Sequence, residues 1–323
     1  MKTRKLGWTD LNLSNIGLGT WAIGGSGWKF SWGPQDDRES ISAIHRALDL
    51  GINWIDTAAI YGLGHSEEIV GKAIRGLRDK PIIATKCGRL GDRKGNLFGR
   101  LKKESIRSEV EASLKRLKIE VIDLYQIHWP EPDEDIEEAW TTLGDLIKEG
   151  KIRYAGVSNF NIKQLKRVQP IHLVASFQPP YSMLERGIEG KILQYCSANN
   201  IGVIVYSPMQ KGLLAGKFTR ERVQNLSQDD HRRIDPRFQE PELSANLKLV
   251  EDLRPIAEKS GRTVAQLAIA WVLRHPEVTA AIVGARRPSQ IEETVVAGDW
   301  VLSKEDVAAI EALLDRRQKA SYQ

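Results

Sequence analysis

Eight short apolar runs recur along this chain, each followed by a segment with the spacing of an amphipathic helix. This regular alternation constrains the fold more than any other feature. The runs are Asn15-Gly19, Asn53-Thr57, Ile82-Lys86, Ile122-His128, Arg153-Ser158, Val174-Gln178, Gly202-Ser207 and Ala280-Gly284. Between them lie stripes such as Ile41/Ile44/Leu48, Ile69/Ala73/Leu77, Ile106/Val110/Leu114/Leu117, Ile136/Trp140/Leu143/Ile147 and Leu249/Leu253/Ile256, each burying one helix face. Gly51, Gly150 and Gly261 follow helical runs as terminating glycines do, and Ser303 with Asp306 is a candidate cap for the last helix. Eight parallel βα units in 323 residues predict a (β/α)8 barrel as a single domain over residues 1–323. Leu6-Gly-Trp-Thr-Asp10-Leu-Asn-Leu reads as a hairpin that plugs the barrel floor. The polar stretch from about Thr219 to Leu243 has no helical stripe and reads as a long cofactor-side loop after strand seven.

An open doubly wound sheet is the alternative. No G-x-G-x-x-G supports it: Gly17-Leu-Gly19 is followed by Thr20-Trp21-Ala22, and Gly62-Leu-Gly64 by His65-Ser66-Glu67. A dinucleotide, if bound, is held in another way.

Composition narrows the function. The chain carries 47 Lys+Arg against 42 Asp+Glu, a formal charge of +5, without long basic runs, so nucleic acid is not an expected partner. The densest basic groups, Arg232-Arg233 and Arg286-Arg287, read first as solvated. The longest largely apolar stretch, Val264 to Leu273, is too short to span a membrane. Without an export-type N-terminus the expected location is cytoplasmic, and Cys87 and Cys196 are expected to be free thiols. No metal site is expected.

In such a barrel the active site lies at the C-terminal strand ends. The residues there are Asp56, Lys86, His128, Ser158, Asn159, Gln178, Tyr206 and Ser207, and Tyr61 follows Asp56 by five positions. Taken singly, each has an ordinary explanation as an ion pair, a rim residue or a turn histidine. Gathered at one mouth they form a set able to protonate a developing alkoxide. Lys86 is expected to lower the phenol of Tyr61 from about 10 by about two to three pH units, roughly 3 to 4 kcal/mol. Asp56 aims the ammonium, and a neutral His128 orients a carbonyl.

Four ordered segments carry a family resemblance: Gly51-Ile-Asn-Trp-Ile-Asp-Thr-Ala-Ala-Ile-Tyr-Gly62, Ala84-Thr-Lys-Cys87, Ile122-Asp-Leu-Tyr-Gln-Ile-His128 and Gly156-Val-Ser-Asn-Phe160. The chain resembles the aldo-keto reductases over essentially its whole length. The resemblance implies that Tyr61 is the general acid/base, tuned by Lys86 and Asp56, with His128 orienting the substrate carbonyl. It also implies an extended nicotinamide cofactor across the mouth. Ser158, Asn159 and Gln178 would hold the carboxamide, with Tyr206 stacked on the ring. Gly19, Thr20 and Trp21 would lie near the ribose. Ser207, Met209, Lys211, Gly212 and Leu213 would follow the pyrophosphate, and Gly284, Arg286, Gln290 and Glu293 would form the adenosine end. Arg286 facing a 2′-phosphate favours NADPH/NADP over NADH. Thr294 and Ser182 stand where many members have Asn, which leaves the adenine contact unassigned.

Trp21, Trp28, Phe30, Trp32 and Trp129 fall in mouth loops and are the expected substrate pocket, with Phe98 at its edge. The Gly91–Asn96 loop is a candidate lid. The expected function is reduction of an aldehyde or ketone, or NADP-dependent oxidation of a sugar or polyol in reverse. The partner is a small carbonyl or sugar, with no membrane partner, and the protein is a monomer or a homo-oligomer. A channel-β-subunit-like nucleotide sensor shares the fold and the four residues, and no docking segment supports it.

Overall fold

The computed structural model describes residues 1–92 and 96–320, except the side chain of residue 320. Its strands are β1 (Thr3–Lys5), β2 (Asn12–Ser14), β3 (Ile16–Gly19), β4 (Trp54–Asp56), β5 (Ile82–Cys87), β6 (Arg89–Gly91), β7 (Leu97–Gly99), β8 (Ile122–Ile127), β9 (Ile152–Ser158), β10 (Ser176–Gln178), β11 (Gly202–Val205) and β12 (Val278–Gly284). The α-helices are α1 (Asp37–Asp49), α2 (His65–Ala73), α3 (Lys103–Leu117), α4 (Ile136–Lys148), α5 (Ile162–Val168), α6 (Lys191–Ala198), α7 (Arg220–Gln224), α8 (Glu242–Glu258), α9 (Val264–Leu273), α10 (Pro288–Val295) and α11 (Lys304–Ala320).

Strands β3, β4, β5, β8, β9, β10, β11 and β12 close into a parallel barrel in chain order, and all eight predicted runs are in it. The helices between them bury the stripes read from the sequence. On α4, for example, Ile136, Ala139, Trp140, Leu143 and Leu146 are fully buried. The stripe through Ile69 and Ala73 stops short of Leu77, because α2 ends at Ala73 and Leu77 sits in the following turn. Gly51, Gly150 and Gly261 all take left-handed conformations, and Ser303 Oγ accepts from Asp306 N at 3.0 Å. The apolar α9 is buried along its whole length and capped by Thr263 and Gln266. Among the described residues no helix is long and apolar enough to cross a membrane.

β1 and β2 form the expected antiparallel hairpin below the barrel. Leu6, Leu11 and Leu13 pack into one buried cluster with the inward residues Trp54, Ala84, Leu124, Ile204 and Ala280. Trp54 fixes the plug by donating from Nε1 to Ser14 O at 2.9 Å. Its ring occupies the space where a Cβ on Gly17 would stand, 2.1 Å away, so position 17 has to be glycine.

The stretch read as a long loop after β11 is more ordered than expected. It holds α7 and two single helical turns, at His231–Ile234 and Pro236–Phe238. Leu213, Phe218, Val223, Phe238 and Leu243 form a small core of their own beneath it. These apolar residues are too widely spaced to show a stripe, which is why the pattern reads as structureless.

Candidate active site

The pleat puts residues two apart on one face of a strand. Trp54 and Ala84 face the interior, so Asp56 and Lys86, each two residues further along, face it as well; Asp56 is in register with Ala84, and Lys86 stands one pleat above it on the neighbouring strand. Lys86 Nζ donates to Asp56 Oδ1 at 2.6 Å and to Thr57 O at 2.9 Å, and stands 3.4 Å from Tyr61 Oη. Both members of the pair are almost fully buried. Burial raises the Asp56 carboxyl and lowers the Lys86 ammonium, and each opposes the shift through the charge of the other. Gln178 Nε2 donates to Asp56 Oδ2 at 2.7 Å, satisfying the second oxygen. A buried ion pair is tolerable only when its remaining lone pairs and protons are matched in this way.

Tyr61 lies in a turn whose path depends on glycine. Gly62 has a φ of 61°, and a Cβ there would stand 2.1 Å from Gly24 O, so the turn rests flush on the loop after β3. Trp21 stacks on the Tyr61 ring at 6.3 Å, Trp28 lies 6.2 Å away, and His128 meets it edge-on at 5.8 Å. The expected lowering of Tyr61 is corrected. Burial by the cleft walls, followed by the Asp56 carboxylate, holds the phenol well above its ordinary range. The charge of Lys86 is largely neutralised by Asp56 and so does not reverse this. His128 is pushed well below its usual value by burial and by the Lys86 and Arg89 charges, which keeps it neutral as expected.

Beside these four lies a connected amide and hydroxyl network. Ser158 Oγ donates to Gln178 O at 2.7 Å, Asn159 Nδ2 to His128 O at 2.9 Å, and Tyr206 Oη to Asn159 Oδ1 at 2.8 Å. Asn159 holds a φ of 62°, one of seven non-glycine residues with positive φ among the described residues, three of which (Ser207, Gln210 and Lys211) line or support the turn after β11. The amide nitrogen of Gln178 is thus engaged by Asp56.

Asp56, Tyr61, His128, Ser158, Asn159, Gln178 and Tyr206 open into one cleft of about 940 Å³ across the barrel mouth, with Lys86 buried behind them. Gly19, Thr20, Trp21, Ser207, Met209, Lys211, Gly212, Gly284, Arg286, Gln290, Glu293 and Thr294 line it, as do Trp28, Phe30, Trp32 and Trp129. Leu213 does not, being fully buried in the small core behind the wall. Phe98 is exposed on the β6–β7 hairpin rather than in the cleft. Trp32 packs against His231 and Arg232 instead of Tyr61. In the candidate lid, residues 93–95 lie outside the described residues. Ser182 is buried against Gln210, its Oγ 2.7 Å from Oε1.

The far end of the cleft holds Arg286, already expected there, together with cations the sequence did not assign to it: Lys217, Arg222, Arg232 and Arg287. The first reading of Arg232 as solvated is corrected. Arg232 is 7% exposed, paired with Asp230 and laid on the Trp32 ring at 4.6 Å. Arg286 Nε donates to Gln35 Oε1 at 2.6 Å, and its Nη atoms reach Trp32 O and Pro34 O. Lys211 is held by Asp235 at 2.6 Å. Burial and the mutual repulsion of Arg222, Arg232, Arg286 and Arg287 depress the Arg222 and Arg286 guanidinia. Converging, partly desolvated cations are a site that a polyanion relieves, so this end fits the phosphates of a dinucleotide. His231 was also missed. It is buried with its ring stacked on Trp21 at 4.8 Å and Nδ1 bonded to Ser31 O. The pairs Arg232–Arg233 and Arg286–Arg287 were the available signal. Nothing in a linear pattern shows that segments 32–35, 217–237 and 284–294 meet.

The family model described as "Aldo/keto reductase family" matches residues 15–315. The chain is 44% identical over 313 residues to aldo-keto reductase YhdN of Bacillus subtilis (strain 168), covering 95% of this chain and 92% of the relative. It is 37% identical to the NADH-specific methylglyoxal reductase of Escherichia coli (strain K12), covering 99% and 100%. The structure of the glycerol dehydrogenase AKR11B4 from Gluconobacter oxydans superposes with a TM-score of 0.88 at 41% identity, covering 98% of this chain and 95% of that one. A closed eight-stranded parallel barrel, a mouth carrying Asp56, Tyr61, Lys86 and His128, and these matches together show that the chain belongs to the aldo/keto reductase family, whose members are oxidoreductases acting on carbonyl and alcohol groups with nicotinamide cofactors.

Proposed function

We propose that this protein reduces an aldehyde or ketone to an alcohol with NADPH, using Tyr61 as the proton donor. The observation that carries the reading is the Tyr61 hydroxyl, 3.4 Å from Lys86 Nζ and walled by Trp21, Trp28 and His128. When bound, the reduced nicotinamide supplies the hydride. The carbonyl oxygen then gathers negative charge and takes the proton of Tyr61, and solvent restores it. A phenol held above its ordinary range keeps its proton at neutral pH and yields it only to a strong base such as a forming alkoxide. Neutral His128 donates a hydrogen bond to the carbonyl oxygen and fixes the pose. The Lys86 ammonium, kept in place by Asp56 and Gln178, stabilises the phenolate left behind. Oxidation of a polyol or sugar hydroxyl uses the same groups in reverse, with Tyr61 phenolate as the base. The glycerol dehydrogenase similarity favours testing that direction.

Ser158, Asn159 and Gln178 would hold the carboxamide and Lys211 the pyrophosphate. Arg286, with Arg222 and Arg232 beside it, would hold the 2′-phosphate that distinguishes NADPH from NADH. One relative is described as NADH-specific, which makes the preference the point to measure. The test follows reduced-nicotinamide absorbance against a panel of aldehydes, ketones and sugars, with NADPH and NADH in parallel. Turnover of at least one carbonyl with NADPH is expected. No oxidation above background with any carbonyl contradicts the reading. Arg286→Ala should weaken NADPH more than NADH, and equal loss removes its assigned role.

A further inference from the structure

Across the mouth from the basic cluster, the cleft holds a second charged pair that the proposed reduction does not use. Arg89 begins β6, directly after β5, and its Nη1 donates to Glu131 Oε2 in the segment after β8. In barrel order β5 stands opposite β11 and three strands from β12, so this pair lies across the rim from the phosphate end. Both residues line the cleft, next to His128 and Trp129.

The two partners are held very differently. The Arg89 side chain is 19% exposed and that of Glu131 61%. The backbone leading into Arg89 is fixed at Gly88. Gly88 N donates to Glu109 Oε2 at 2.9 Å and Arg100 N donates to Gly88 O at 3.2 Å. The β6–β7 hairpin lies so close to Glu131 that a Cβ on Gly99 would stand 2.1 Å from Glu131 O. The Arg89 charge reaches the reacting end, since it helps hold the His128 imidazole neutral. The guanidinium is therefore a fixed cation at the edge of an aromatic pocket, and the Glu131 carboxylate is a counter-ion on the water side. An exposed partner of this kind contributes little and exchanges readily.

We propose that Arg89 is a specificity-determining residue that binds a carboxylate on the substrate, displacing Glu131, so that the preferred substrates are aldehydes or ketones carrying a carboxylate away from the carbonyl. The proposal rests on the carbonyl-reduction reading for where the substrate lies. One planar guanidinium matches the two oxygens of a carboxylate as a fork, whereas a phosphate dianion calls for more than one cation. The carboxylate is thus the better occupant, and the apolar part of the substrate lies on Trp28 and Trp129.

The test compares 4-carboxybenzaldehyde with its methyl ester, methyl 4-formylbenzoate, in the holoenzyme. Glyceraldehyde 3-phosphate against glyceraldehyde serves as the phosphate arm. The acid should show a KM lower than the ester by about 10- to 100-fold, the range of a charge-assisted hydrogen bond. The phosphate pair should show a smaller ratio. Arg89→Met should bring the acid-to-ester ratio to about one. Glu131→Gln, a change at an exposed position, should increase the preference for the acid. Equal KM values for acid and ester in wild type, or a ratio that Arg89→Met leaves intact, overturn the proposal and make the pair a tie between the β6–β7 hairpin and the segment after β8. A larger ratio for the phosphate pair overturns the choice of carboxylate. Binding is read independently as quenching of tryptophan fluorescence by each probe without turnover. If no carbonyl is reduced but the acid still quenches more tightly in an Arg89-dependent way, the reduction reading fails and the Arg89 site stands. If the ester is reduced and the acid gains nothing, only the Arg89 site fails.

Discussion

The floor and the mouth of this barrel are lined by the same strands, often by residues two positions apart, and they do opposite things. At the floor Trp54, Ala84, Leu124 and Ile204 close on Leu6, Leu11 and Leu13 of the hairpin. One pleat further along the same strands stand Asp56, Lys86 and Tyr206. The floor gains free energy by removing apolar area from water, roughly 25 cal/mol per Å². The mouth puts ions and amides into the same low-dielectric interior and offsets the desolvation only through matched hydrogen bonds. The difference shows why the mouth is reactive. Its groups are costly to bury, tightly oriented and shifted from their ordinary protonation behaviour.

Substitutions at the two ends should therefore fail differently. Lys86→Met has the largest expected effect, because it removes transition-state support and leaves Asp56 buried without a cation. Activity should fall by about 10²-fold or more, and stability by about 3 to 5 kcal/mol, read from kcat and from denaturant unfolding. Leu13→Ala should cost about 2 to 5 kcal/mol of stability, with kcat and KM of the folded protein near wild type. A kinetic defect there would break the division between the two ends. Smaller and dependent on pH is the effect of His231, whose pKa burial lowers to about 4 from 6.5. The unfolded chain binds the proton first, so the stability this neutral histidine contributes is intact above pH 6.5 and is lost as pH falls towards 4. The loss reaches at most about 3 kcal/mol, and the difference between wild type and His231→Gln in pH-dependent melting isolates it. A constant difference from pH 8 to 4 would contradict this sign.

The barrel was legible because eight apolar runs and the helical stripes between them are local patterns, and so were Asp56, Tyr61, Lys86 and His128, which sit at or just beyond predicted strand ends. Legibility failed where the information is not local. Arg232 looks like a surface charge until the 217–237 segment folds over Trp32. Leu213 follows a turn that lines the cleft, yet its side chain joins the small core with Phe218 and Phe238. The direction of the Tyr61 shift was misread because the sequence reading counted the Lys86 charge as available to the phenol. The structure shows that charge already taken by Asp56 at 2.6 Å and the Thr57 carbonyl at 2.9 Å.

The most direct test of the account is Tyr61→Phe, measured in single turnover with NADPH and a reducible aldehyde, alongside NADPH binding by fluorescence. The substitution removes one oxygen and keeps the ring against Trp21. The rate is expected to fall by about 10²- to 10⁴-fold, the range of general acid catalysis, with cofactor affinity and melting temperature close to wild type. A variant that keeps the wild-type rate would show that the proton comes from elsewhere and that the buried charges at the mouth serve stability alone.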